Sequence, residues 1–138
     1  MSTIKTTLAG YLGYRGREGH WAFVLHRVTG LGTGLFLTVH IIDIGLVYFA
    51  PGAFQSVIDL YRSTLFSLLE IALLFCVFYH GLNGLRIAYF DMFAPKNWNI
   101  PTQRATTLWT LGIALVIWVP CAVWMMYNLL KFNYGLFQ

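Results

Sequence analysis

Three apolar runs, at about residues 28–50, 64–90 and 105–132, constrain this chain more than any other feature. Each exceeds the roughly 20 residues that carry a helix across the hydrocarbon at 1.5 Å per residue. Lipid offers the backbone no hydrogen-bond partners, so runs of this length predict an all-α integral membrane protein with three transmembrane helices. Composition agrees, with 58% of the 138 residues hydrophobic and only 10% charged. Pro51-Gly52 opens the first connection, and Pro95 and Pro101 mark the second. Both are short, and neither resembles a separate domain. Pro120 removes one helix hydrogen bond in the third run and predicts a kink there.

Residues 1–27 read as an N-terminal arm and interfacial segment, and 28–138 as the membrane anchor. Gly10, Gly13, Gly16 and Gly19 disfavour a regular helix in the arm, and no apolar core followed by a small-residue cleavage site marks a signal peptide. Lys5, Arg15, Arg17 and Arg27 precede the first span, while Arg86, Lys96 and Arg104 surround the second connection. Only Arg62 and Lys131 fall on the other side. The positive-inside rule then puts the N-terminus in the cytoplasm and the C-terminus outside, in the cell (inner) membrane. A net charge of +4 without any basic block predicts membrane lipids rather than nucleic acid as the counter-charge. Cys76 and Cys121 sit in apolar runs without CxxC or CxxH spacing, so they read as small core residues.

Polar groups inside the spans carry the functional reading, because ionisable side chains are expensive in lipid. The stretch Tyr79-His80-Gly81-Leu82-Asn83-Gly84-Leu85-Arg86-Ile87-Ala88-Tyr89-Phe90-Asp91 sets His80, Gly84, Ile87 and Asp91 near one helix face. A histidine above a strip lowered by glycine could seat a flat cofactor; equally, it could bond to a neighbouring helix that the glycines admit. His26 and Arg27 stand where the first span begins, beside Trp21. Such a pair serves either as an interfacial anchor or as a site for an acidic group or a quinone carbonyl. Gly30 and Gly34 form a small-xxx-small pair for close helix packing. His40 and Asp43, three residues apart, either pair with each other or form a metal ligand and its supporting partner.

Depth separates the two mid-span histidines. His40 follows Arg27 by 13 residues on a helix running outward, roughly 20 Å from the cytoplasmic end. His80 precedes Arg86 by six residues and Asp91 by eleven on a helix running inward, about 9–16 Å from that boundary. One iron gripped by both is disfavoured, and a haem at either needs a histidine from a second membrane subunit. Glu70 falls near the level of His40 and is a candidate for proton transfer.

His26-Arg27-Val28-Thr29-Gly30 resembles the HR-x-[ST]-G signature of the cytochrome b subunit of succinate dehydrogenase. The run from His80 through Gly84 and Arg86 to Asp91 resembles the H-x3-G-x-R-x4-D haem-ligand signature of the same family. The resemblance implies a membrane anchor forming half of a heteromeric helix bundle, with a second anchor subunit, an iron–sulfur subunit and a flavoprotein subunit as partners. Electrons from succinate would reach membrane quinone in the tricarboxylic acid cycle and respiratory chain, with the fumarate-reducing direction left open. The chain alone would have no activity. His80 would be an axial ligand of haem b, with His26, Arg27 and Arg86 near the cofactor and Trp21, Arg27 and Asp91 as quinone-site candidates. Phe23 stands where many members carry a quinone-site serine, and it cannot donate that hydrogen bond. His40 resembles the first-helix histidine of members with two stacked haems, which implies a second haem and menaquinone. The competing readings are a haem-free anchor and a proton or ion pathway through His40, Asp43, Glu70 and His80.

Overall fold

The computed structural model describes Gly10 and residues 17–136, and its elements are all helical. Helix α1 spans Arg17–Phe49, α2 Pro51–Tyr61, α3 Thr64–Met92 and α4 Ile100–Tyr134, with a single 3-10 turn at Pro95–Asn97 before α4. The three long helices are each long and apolar enough to cross a membrane, so the protein is an all-α multi-pass membrane protein. Each outruns its apolar run. The 33 residues of α1 cover about 50 Å at 1.5 Å each, more than the roughly 30 Å of hydrocarbon.

The expectation that the glycines through Gly19 disfavour a regular helix is corrected at its end: residues 17–27, Gly19 included, are the opening turns of α1. Ala22 in this stretch is buried, and its carbonyl accepts a hydrogen bond from the Tyr79 hydroxyl at 3.5 Å. Contact with α3 supplies what local propensity lacks. The rest of the arm apart from Gly10, with Lys5 and Arg15, lies outside the described residues.

Helix α3 is the middle of the bundle, packed along both α1 and α4, which touch each other far less. The α1–α3 contact is antiparallel, and its register is fixed by small residues: Gly84 against His26, Gly30 against His80 and Gly32 against Cys76. Among the described residues Gly34 has no neighbour where a side chain would start, so of the expected glycine pair Gly30 serves the α1–α3 packing.

The first connection is itself a helix, which the sequence reading passed over. Pro51 occupies its first turn, where a missing N–H costs nothing. Phe54, Val57, Ile58 and Tyr61 recur at helical spacing, and they are its half-buried residues. The Tyr61 hydroxyl donates to the Asp43 carboxylate, tying α2 to the end of α1. Because that hydrogen bond and the negative charge both hold the proton on, the Tyr61 phenol is pushed up to about 12.

Asn99 caps α4, its side-chain oxygen accepting from the Thr102 N–H at 2.9 Å. The helix continues through Pro120 and ends at Gly135, whose φ of 64° is the left-handed conformation that closes a helix C-terminus. Polar groups in the spans are largely satisfied within their own helices. Thr29, Thr33, Thr106 and Thr110 return their hydroxyls to carbonyls one turn back. Trp118 reaches across from α4 to the Ile71 carbonyl at 2.9 Å.

Candidate functional site

Helices α1 and α3 bring His26 and His80 together. Their rings are stacked, with centroids 4.2 Å apart and planes 5° from parallel. The His80 Nδ1 lies 3.0 Å from the His26 carbonyl oxygen. A carbonyl only accepts, so this nitrogen carries a proton, and in the neutral ring the lone pair is on Nε2. The ring is thereby fixed in one tautomer and one orientation. Gly30 makes this approach possible, since a Cβ there would lie 2.6 Å from His80 Cε1. On the other side Gly84 sits under His26, with 3.8 Å between its would-be Cβ and His26 Cε1.

An open groove of about 500 Å³ runs over this pair, lined by His26, Arg27, Gly30, Leu31 and His80. Arg27 is exposed beside it, its guanidinium 4.5 Å from the centre of the Phe23 ring. Phe23 thus holds the arginine through a cation–π contact, although it cannot hydrogen-bond. Trp21, six residues before Arg27, is exposed. The His26 Nδ1 is buried without a hydrogen-bond partner among the described residues.

Residues 9–120 match the family described as succinate dehydrogenase/fumarate reductase transmembrane subunit. The chain belongs to this family. It is also 32% identical over 111 residues to the succinate dehydrogenase 2 membrane subunit SdhC of Mycobacterium tuberculosis, a match covering 80% of this chain and 79% of that one. Within this transmembrane subunit, both sequence signatures meet at one place: the HR-x-[ST]-G run supplies His26, Arg27 and Gly30, and the second run supplies His80 and Gly84.

Other residues singled out in the sequence lie elsewhere. Arg86 turns away from the groove, donating to the Thr107 hydroxyl on α4. Asp91 accepts from the Trp98 indole N–H at 3.1 Å and fastens the turn before α4. His40 is exposed on α1, ten residues beyond Gly30, or about 15 Å further along the helix. Its ring stacks on Phe36 at 5.3 Å. The suggested His40–Asp43 pairing is not formed, since Asp43 is buried against Tyr61. The α1–α3 register sets Glu70 at the level of His40, as the depth argument expected, and Glu70 lines a groove of about 630 Å³ with Tyr61, Arg62, Ser67 and Asn128.

Not singled out in the sequence are Asn83 and Thr107, which are buried, and Gln103, whose amide atoms are buried, all at this end of the bundle. A signal was present. Asn83 and Arg86 are three apart on α3, and Gln103 and Thr107 four apart on α4.

Proposed function

We propose that this subunit binds haem b through His80 and, with its iron–sulfur and flavoprotein partners, passes electrons from succinate to membrane quinone. The observation that carries this reading is the hydrogen bond from His80 Nδ1 to the His26 carbonyl. A metal-ligating histidine is commonly held in this way, which fixes the ring and makes the other nitrogen a better ligand. The remaining residues fit the group. Gly30 admits the His80 ring and Gly84 seats His26, the open groove over the pair leaves space for a flat group, and the Arg27 guanidinium offers donors to acidic side groups. When bound, haem supplies a one-electron couple whose potential is set by its ligands, burial and nearby charge.

The parallel stacking of His26 on His80 prevents the two rings from facing each other across one iron. A further iron ligand would therefore come from a second anchor subunit. His40, about 15 Å further along α1, is the candidate ligand of a second haem, again completed by that partner; with two haems the expected quinone is menaquinone. Arg27 and Trp21 are the groups of this chain that position quinone at the rim of the groove. Arg27, Arg86, Lys96 and Arg104 at this end, against Arg62 and Lys131 at the other, support a cytoplasmic placement of the N-terminal end.

The test is haem stoichiometry of the purified intact complex, by reduced-minus-oxidised spectra and pyridine haemochrome against protein content. Two b haems support sites at His80 and His40. One haem, lost in His80→Ala, supports His80 alone, and a complex without haem overturns the reading.

A further inference from the structure

At the C-terminal end of the bundle α1 stops at Phe49, α3 begins at Thr64 and α4 stops at Tyr134. Thr64 Oγ1 lies 3.2 Å from the Tyr134 hydroxyl, and the Asn133 amide donates to the Arg62 carbonyl at 3.2 Å, so the ends of α3 and α4 are level. The groove of about 630 Å³ opens at this boundary. Polar residues, Arg62, Asn128 and Asn133, line it beside apolar ones, Met125, Leu129 and Phe132. Met125 comes nine residues before Tyr134, so the groove descends roughly 14 Å along the bundle.

A second groove of about 380 Å³ adjoins it, and Tyr61 and Glu70 line both. This one is apolar and runs between α1 and α3 over Leu35, Phe36, Val39, Leu69 and Leu73. One polar mouth thus gives onto two apolar tracts, one along α4 and one along α1, parted by Tyr61 and Glu70. A phosphoglyceride has the same outline, with one polar head and two apolar chains. Charge narrows the head. Among the described residues this end holds two basic side chains, Arg62 and Lys131, and three carboxyls, Asp43, Asp59 and Glu70. An anionic head finds no surplus of positive charge here. Arg62 and Asp59, however, stand 3.5 Å apart with both side chains largely exposed, and they present a cation beside an anion. An exposed pair of this kind is weak and yields to a better partner for each member.

We infer that the two grooves form one site for a phosphoglyceride with a primary-amine head, its phosphate on Arg62, its ammonium on Asp59 and one chain in each groove. Guanidinium to phosphate and ammonium to carboxylate are both charge-assisted hydrogen bonds, and a quaternary amine cannot make the second. Asn133 is already committed to the Arg62 carbonyl and Thr64, so it positions Arg62 against α4 and does not hold the head itself. Neither haem nor quinone enters this inference, and it stands or falls apart from the proposed function.

The test offers the purified intact complex, freed of loosely held lipid in detergent, phosphatidylethanolamine, phosphatidylcholine or phosphatidylglycerol with identical chains, and reads retention by native mass spectrometry. One phosphatidylethanolamine per copy of this subunit should be held about tenfold more strongly than either other lipid. Arg62→Gln should lower that retention about tenfold, and Asp59→Asn should bring the ethanolamine and choline lipids level. Equal or better retention of the choline or glycerol lipid by the wild-type complex overturns the inference, as does unchanged retention in Arg62→Gln or an unchanged preference in Asp59→Asn. Should Arg62→Gln not assemble, electron cryomicroscopy of the wild-type complex decides. Forked density with its head at Arg62 and an arm in each groove supports the site. Side chains of another subunit filling either groove, or grooves without such density, overturn it.

Discussion

The His80 ring hangs from the backbone carbonyl of His26 and not from its side chain, although the two rings are stacked 4.2 Å apart. Side-chain substitutions at the two positions therefore have different consequences. On the proposed function, His80→Ala removes the nitrogen ligand and should abolish the haem signal that depends on it. His26→Ala keeps the carbonyl and hence the His80 tautomer, so haem should be retained with a shifted spectrum and a lowered affinity. Reduced-minus-oxidised spectra of the two purified variants check this, and equal loss in both would refute the distinction.

Gly30→Ala should act at a distance from its own helix. The added methyl would lie 2.6 Å from His80 Cε1 and 2.9 Å from Nδ1, so the ring or α1 must shift. Overpacking of this kind costs about 1–3 kcal/mol. We expect a lower midpoint of thermal unfolding in detergent together with altered haem absorption, whereas Gly34→Ala, with open space around it, should change neither.

Tyr61 and Asp43 predict a stability effect at high pH. The Tyr61 proton is held to about 12, against 10.0 for a free phenol. The bond's contribution is therefore fully present below pH 10 and is lost as the pH rises through about 12, because the unfolded chain gives up its proton first. Ultraviolet titration of phenolate absorbance should show a late-titrating tyrosine that vanishes in Tyr61→Phe. The same variant should be less stable near neutral pH by about 1.5–3 kcal/mol, the usual range for a hydrogen bond to a charged group.

The Trp118 indole donates across the bundle to the Ile71 carbonyl at 2.9 Å. Trp118→Phe keeps most of the ring's packing but removes the donor, and should cost about 1 kcal/mol. Because Ile71 lies on α3, the loss should appear as loosened α3–α4 contact. Thermal unfolding, with cross-linking between cysteines introduced on the two helices, measures it.

The ion pair between Glu18 and Arg104 should matter little for stability. Both side chains are partly exposed, at 30% and 57%, and such pairs contribute about 0–1 kcal/mol. Arg104→Ala should leave the unfolding midpoint in detergent nearly unchanged at high salt and lower it slightly at low salt.

By itself, the sequence determined the three spans, because hydrocarbon demands about 20 apolar residues in helical form whatever the neighbouring helices do. It also marked His26, Arg27, His80 and the glycines near them, since polar and small residues stand out against an apolar background. Helical spacing names the residues on a face but not the neighbour that the face meets. Only packing placed Arg86 against Thr107 instead of in the groove, and gave Asp43 to Tyr61 instead of His40. Packing likewise let Ala22 and Tyr79 carry α1 through Gly19 and set the antiparallel register that stacks His26 on His80. The physical reason is that lipid selects single helices by composition, whereas their mutual rotation and register depend on contacts between residues far apart in the chain.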